Sequence, residues 1–164
     1  HEMSHGFDDS GSRFDAQGRL NMWWTAEDRK EFEARADKLV AQAGEFEALP
    51  GLKLNGRVSL GENIGDLGGV TMAYGALELA LKDKPHTRID GLTPEQRFFH
   101  GWAQIWRRTY TEEALKIQVN VGPHSPGKFR VNGPYANLDA FAEAFGCKAG
   151  DAMVRPDATR VQIW

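Results

Sequence analysis

His1-Glu2-Met3-Ser4-His5 opens this 164-residue chain and forms the pattern H-E-x-x-H. On a helix, residues four apart lie on one face, so His1 and His5 can offer two imidazoles to one metal ion. Glu2 would then point toward the open coordination position of the metal as a general base. The pattern therefore predicts a helix that supplies two ligands of a catalytic zinc ion.

The position of this pattern in the chain is also informative. A helix that carries metal ligands is expected to have turns before its first ligand, whereas no residue precedes His1. We therefore expect residues 1–164 to be a single domain that forms the C-terminal part of a longer enzyme. Targeting signals lie at the N-terminus of a primary product, so a chain that starts internally does not reveal them.

Composition limits the class of protein. A hydrophobic fraction of 41% and a charged fraction of 26% are ordinary for a soluble globular chain, and no apolar run approaches the length of a membrane span. The net charge of −3 argues against a general nucleic-acid binder. Cys147 is the only cysteine, which excludes an internal disulfide and a Cys-rich zinc site. We expect it to be a small buried hydrophobe rather than a reactive thiol.

Capping residues and apolar spacing predict a mainly α chain. A long helix should begin at the N-cap Thr25 and end near Gly44, and Thr93-Pro94-Glu95-Gln96 reads as a capping box that opens another helix. Shorter helices are expected around 111–119 and 137–145. A further helix over 59–82 contains five glycines. Because glycine weakens a helix, their density predicts close packing against another helix or a metal centre.

This glycine-rich helix also offers a third metal ligand. In Glu62-Asn63-Ile64-Gly65-Asp66, the two carboxylates are four residues apart and face the same way. Glu62 can bind the metal, while Asp66 can accept the other ring N–H of a ligand histidine. Ser59 and Glu62 also form a possible capping box, which would occupy the Glu62 carboxylate. The presence of H-E-x-x-H in the same chain favours the ligand.

Three motifs in this order resemble the neprilysin family, peptidase family M13. They are H-E-M-S-H-G-F-D-D at 1–9, G-E-N-I-G-D at 61–66 and H-S-P-G-K-F-R at 124–130. The similarity extends through Trp23-Trp24, Phe98-Phe99, 103–106 and the closing Ile163-Trp164, so it covers nearly the whole chain. A single cysteine, where animal members carry many, favours a bacterial member.

The resemblance implies a role for each matching residue. It implies that His1, His5 and Glu62 bind one Zn²⁺, that Glu2 activates the zinc-bound water, and that Asp66 supports His1. It further implies three substrate contacts, which are His124 on the oxyanion, Arg130 on the substrate carbonyl, and Ile105 with Trp106 in the apolar S1′ pocket. From the residues alone, His124 is an ordinary loop histidine, Arg130 a surface charge, and Ile105 and Trp106 helix core. Asp8 could orient His5, on weaker grounds than those for Asp66.

The resemblance also implies a fold and a function. The fold is the C-terminal part of a thermolysin-like (gluzincin) zinc metalloprotease catalytic domain. The function is that of a zinc metallo-endopeptidase that hydrolyses oligopeptides outside the cytoplasm, with the upstream part of the same enzyme packed on this segment. The alternative is a catalytically inactive helical module without a competent metal site.

Overall fold

Helices form most of the structure, which confirms the mainly α prediction. The computed structural model describes residues 1–164. Its six α-helices are α1 (Ala26–Glu45), α2 (Leu60–Leu81), α3 (Pro94–Ile105), α4 (Glu112–Val121), α5 (Gly127–Tyr135) and α6 (Asp139–Phe145). Two 3₁₀ helices cover Glu2–Phe7 and Gly11–Arg13, and the antiparallel strands β1 (Glu47–Leu49) and β2 (Leu52–Lys53) form a hairpin.

Two helices begin where capping chemistry places them. Thr25 Oγ1 accepts a hydrogen bond of 3.1 Å from the Asp28 amide at the start of α1. Thr93 and Gln96 form the same reciprocal pair at α3, where Pro94 is the first helical residue. Each pair satisfies backbone N–H groups that have no partner inside the helix. These local bonds explain why both helix starts can be predicted from sequence.

The central element of the fold is α2, which packs against the N-terminal 3₁₀ helix, α1, α3 and α5. Its glycines allow this crowding, as predicted. A Cβ at Gly65 would lie 2.9 Å from the His1 ring, and one at Gly61 would lie 2.9 Å from a carboxylate oxygen of Asp8. The absence of side chains at these positions lets the N-terminal segment lie directly on α2.

One structural prediction is wrong, and one helix has no prediction from the sequence. The H-E-x-x-H segment forms a 3₁₀ helix rather than an α-helix, with the Ser4 amide bonded to the His1 carbonyl three residues back. Such tight turns are common at helix ends, where the α-helical hydrogen-bond ladder is incomplete. No sequence pattern predicts α5. That helix contains Gly133 and Pro134 and is buried on nearly all sides, so it lacks an amphipathic pattern.

The C-terminal residues complete the main core. Val161 and Ile163 are buried with residues of α1 and α2, among them Phe32 and Leu67. The Val161 amide donates to Asn137 Oδ1 at 2.9 Å, which anchors this segment. Trp164 then stacks on Phe32, and its ring also meets Phe7 edge-on. The C-terminus therefore lies beside the N-terminal 3₁₀ helix.

The expectation that Cys147 is buried is only partly met. Cys147 is only partly buried, because it follows the end of α6 where Gly146 turns the chain in a left-handed conformation. None of the helices is long and apolar enough to cross a lipid bilayer.

Candidate metal centre

Donor atoms of His1, His5 and Glu62 converge at one point. His1 Nε2 lies 3.2 Å from His5 Nε2 and 3.3 Å from Glu62 Oε2, and His5 Nε2 lies 3.5 Å from Glu62 Oε1. A tetrahedral zinc ion with bonds of about 2.0–2.1 Å needs ligand atoms roughly 3.3 Å apart. The spacing of the three donors therefore fits zinc, and two nitrogens with one carboxylate are a donor set that zinc accepts.

A carboxylate of α2 contacts the His1 ring nitrogen that does not face the other donors. His1 Nδ1 lies 2.9 Å from Asp66 Oδ1, and Asp66 is fully buried. A carboxylate at Nδ1 favours the tautomer with its proton there, which leaves the Nε2 lone pair free for a metal. Asp66 therefore lies close enough to His1 for the predicted support, although the angle at Nδ1 is not that of a hydrogen bond in this structure.

His5 has an equivalent support from Asp8. The His5 Nδ1 and Asp8 Oδ2 atoms are 2.8 Å apart, and Asp8 is buried. Its other oxygen accepts backbone hydrogen bonds of 2.8 and 2.7 Å from Ser10 and Gly11. From sequence alone, Asp8 has weaker grounds than Asp66 as a support for a histidine. The signal that could have found it is the spacing of three between His5 and Asp8, which brings the two side chains together in a 3₁₀ turn.

Glu2 of the H-E-x-x-H pattern and Glu62 of α2 lie in different surroundings. Glu2 is exposed and makes no hydrogen bond or ion pair with the rest of the chain. Glu62 faces the histidines, and no side-chain capping bond exists at the start of α2. The capping interpretation of Glu62 is therefore wrong. The Ser59 hydroxyl that it required accepts instead from Asn63 Nδ2 at 3.0 Å.

Arg130 is a buried partner of both α2 carboxylates. It donates from Nε and Nη2 to Asp66 at 2.7 and 2.8 Å, and Nη2 lies 3.2 Å from Glu62 Oε2. Its guanidinium carbon lies 4.1 Å from the centre of the Trp106 ring. Burial raises the pKa of Asp66, and the hydrogen bonds from Arg130 oppose that rise. The interpretation of Arg130 as a surface charge is wrong.

The remaining predicted residues lie at different distances from this cluster. His124, in the loop between α4 and α5, brings Nε2 to 3.2 Å from Glu62 Oε2 while its side chain is 52% exposed. Trp106 is partly buried against Arg130. Ile105, the last residue of α3, is 62% exposed, so it does not belong to the helix core. The fold thus brings the predicted polar site residues together around the three donors, except that Glu2 forms no hydrogen bond or ion pair, and it leaves Ile105 at the surface.

Comparison with known proteins decides the family. The model of peptidase family M13 matches residues 1–161. The chain belongs to peptidase family M13. Among its curated relatives, Neprilysin-2 of Drosophila melanogaster is 42% identical over 168 residues, covering 100% of this chain and 21% of the relative. The neutral endopeptidase of Lactococcus lactis subsp. lactis is 37% identical over 166 residues, covering 100% of this chain and 24% of the relative.

Solved structures of M13 proteins have the same fold. The crystal structure of the Mycobacterium tuberculosis zinc metalloprotease Zmp1 in complex with an inhibitor superposes with a TM-score of 0.94 at 43% identity. This match covers 100% of the M13 chain described here and 26% of the Zmp1 chain. The present chain therefore spans about a fifth to a quarter of the length of these relatives.

Proposed function

We propose that this chain is a catalytic segment of a zinc-dependent metallo-endopeptidase that hydrolyses peptide bonds of oligopeptides. The observation that carries the proposal is the set of three donor atoms, 3.2–3.5 Å apart, on His1, His5 and Glu62. Three protein ligands leave a fourth position for water or substrate, which is the arrangement of catalytic rather than structural zinc sites. Membership of family M13 supports the same assignment.

The protein would hold one zinc ion through His1 Nε2, His5 Nε2 and a Glu62 oxygen. Zinc, when bound, supplies Lewis-acid activation of water and of a substrate carbonyl. Asp66 and Asp8 keep the two imidazoles in the orientation that presents Nε2, since each contacts the opposite ring nitrogen. The ligands therefore need little rearrangement to bind the ion.

Glu2 is the candidate general base. Its carboxylate has no partner in the chain, so it is free to accept a proton from the attacking water and pass it to the leaving amine. A carboxylate tied up in an ion pair would lack this freedom. The contrast with Glu62, which faces two histidines, supports different roles for the two glutamates.

Four further residues are proposed to act on the substrate. His124, exposed at the edge of the donor cluster, would donate to the oxyanion that develops on the scissile carbonyl. Arg130 uses Nε and Nη2 on the carboxylates, which leaves Nη1 without a hydrogen bond and available for a substrate carbonyl. Ile105 and Trp106 would form part of an apolar pocket for a substrate side chain.

The remaining part of a longer polypeptide is the proposed partner of this segment. An open groove of about 630 Å³ runs between the N-terminal 3₁₀ helix, α2 and the C-terminus, and it is lined by exposed Met3, Met72 and Trp164. Large apolar side chains grouped in this way are typical of contact surfaces. Relatives four to five times longer than this chain contain enough polypeptide to cover them. By family resemblance, we place the whole protein outside the cytoplasm.

The alternative, an inactive helical module, predicts no metal and no dependence on the ligands. Zinc content and peptide hydrolysis separate the two functions when Glu2→Gln is compared with Glu62→Ala. We expect Glu2→Gln to bind one zinc ion per chain and to lower kcat by about 10²–10⁴-fold on a fluorogenic oligopeptide. Glu62→Ala should lose both the activity and the metal. Near-normal hydrolysis by zinc-loaded Glu2→Gln would contradict the proposal.

A further inference from the structure

A chain of side-chain hydrogen bonds connects α2 to the loop that carries His124. Ser125 Oγ donates to Asn63 Oδ1 at 3.0 Å, and Asn63 Nδ2 donates to Ser59 Oγ at 3.0 Å. Ser125 and Ser59 are buried, with 3% and 4% of their surfaces exposed. Because both serines are shielded from water and Asn63 is partly shielded, these hydrogen bonds are stronger than exposed ones and constrain the groups that they join.

Each end of the Asn63–Ser125 bond is adjacent to a residue of the candidate site. Asn63 follows Glu62 on α2, and Ser125 follows His124 in the loop. Consecutive residues of an α-helix point about 100° apart, so Asn63 can reach the loop while Glu62 faces the donor cluster. The bond therefore joins the segments that carry two site residues, and the His124 and Glu62 side chains meet at 3.2 Å.

The His124 loop has few other restraints. Its imidazole is half-exposed, and the loop lies outside any helix. The second restraint is Gln118, whose Nε2 donates to the carbonyls of His124 and Ser125 at 3.2 and 3.5 Å. That contact comes from α4, whereas α2 holds the loop's side chains through the Asn63–Ser125 hydrogen bond and the His124–Glu62 contact. The distance between His124 and the metal ligand therefore depends on Asn63 and Ser125.

We propose that Asn63 and Ser125 are positioning residues that fix His124 against the donor cluster. The inference rests on the proposed function in one respect, that His124 acts on the developing oxyanion. Neither residue touches substrate or metal in this role. Their effect is to hold a partly exposed imidazole in one place, and displacement of a catalytic group by about 1 Å can cost on the order of 100-fold in rate.

Substitution of each partner tests the proposal in the zinc-loaded protein. Ser125→Ala and Asn63→Ala should each lower kcat by about 10- to 100-fold, with KM and zinc affinity unchanged. The double variant should lose no more than the larger single loss, because both changes remove the same Ser125–Asn63 hydrogen bond. Ser125→Thr, which keeps the hydroxyl, should recover most of kcat. Thr71→Val is the matched control, since Thr71 Oγ1 bonds only to the Leu67 carbonyl within α2.

A second readout is independent of activity. Amide hydrogen exchange of Gly122, His124 and Ser125, the residues of 122–126 that have an amide hydrogen, should accelerate in Ser125→Ala and Asn63→Ala and remain unchanged in Thr71→Val. If the unsubstituted protein hydrolyses no peptide, the proposed function fails, and exchange alone decides the positioning role. Unchanged kcat in both single variants of an active protein, multiplied losses in the double variant, or unchanged exchange in 122–126 would overturn the inference.

Discussion

His1 Nδ1 lies 2.9 Å from Asp66 Oδ1, at a carboxylate that also accepts two hydrogen bonds from Arg130. This relationship connects the N-terminal 3₁₀ helix, α2 and α5 through one buried group. We expect Asp66 to have two tasks, to orient a proposed metal ligand and to balance the charge of a buried guanidinium. The two tasks can be measured separately.

Asp66→Asn keeps the size of the side chain and removes its charge. We expect zinc affinity to fall by about 10- to 100-fold, because His1 loses the carboxylate that favours its binding tautomer. We also expect the metal-free protein to lose about 3 kcal/mol of unfolding free energy, because the Arg130 charge remains buried without its main partner. Zinc titration and urea unfolding measure the two effects.

Asp37→Asn is the matched control for Asp66→Asn. Asp37 pairs with Arg57 at the surface, where both side chains are more than half exposed. Exposed ion pairs contribute at most about 1 kcal/mol, so neither measurement should change much. Equal effects of the two substitutions would show that the Asp66 pair has no special role.

Asp8→Asn tests the support of the second histidine ligand. We expect zinc affinity to fall by about 10- to 100-fold, as for other groups that hold a ligand imidazole. Isothermal titration with zinc provides the measurement. Asp15→Asn is a suitable control, because Asp15 also accepts local backbone and arginine hydrogen bonds but lies in a turn away from the ligands. An affinity that is unchanged in Asp8→Asn would refute the role assigned to Asp8.

Much of the fold and part of the site could be predicted from sequence, for identifiable reasons. Thr25 and Thr93 mark helix starts because capping bonds are local. The two histidines and Glu62 can be proposed as metal ligands from sequence because H-E-x-x-H and the pair of Glu62 and Asp66 are short local patterns. Arg130 pairs with Asp66 and Glu62, from which it is separated by 64 and 68 residues in the sequence. No local pattern encodes such contacts. Helix α5 cannot be predicted from sequence, because its buried glycine and proline give no helical periodicity.

Glycine substitutions on α2 test the close approach of the N-terminal segment. Gly65→Ala would place a Cβ 2.9 Å from the His1 ring and should displace that ring, which lowers zinc affinity. Gly75→Ala lies on the same helix in open space, so it should leave zinc affinity unchanged and stabilise the protein by roughly 0.5–1 kcal/mol. Zinc titration and thermal unfolding of both variants provide the test. A reversed order of zinc affinities would contradict the packing described here.

Removal of zinc should have a local effect. Binding to the folded state alone stabilises it by about 2.7 kcal/mol at a hundredfold excess over Kd, and this ion would connect the N-terminal segment to α2. A chelator should therefore increase hydrogen exchange and proteolysis in the first ~20 residues, while α1 and α3 keep their helical signal because their apolar faces pack without metal. Equal protection of the N-terminal segment with and without zinc would refute this prediction.

The central claim is that His1, His5 and Glu62 hold one zinc ion. Anomalous X-ray diffraction at the zinc absorption edge, on crystals of the zinc-loaded protein, tests it most directly. We expect one strong anomalous peak at about 2.0–2.2 Å from His1 Nε2, His5 Nε2 and a Glu62 carboxylate oxygen, and no such peak in crystals of Glu62→Ala. A zinc-loaded crystal without a peak between these three side chains, or with its principal peak elsewhere, would contradict the claim.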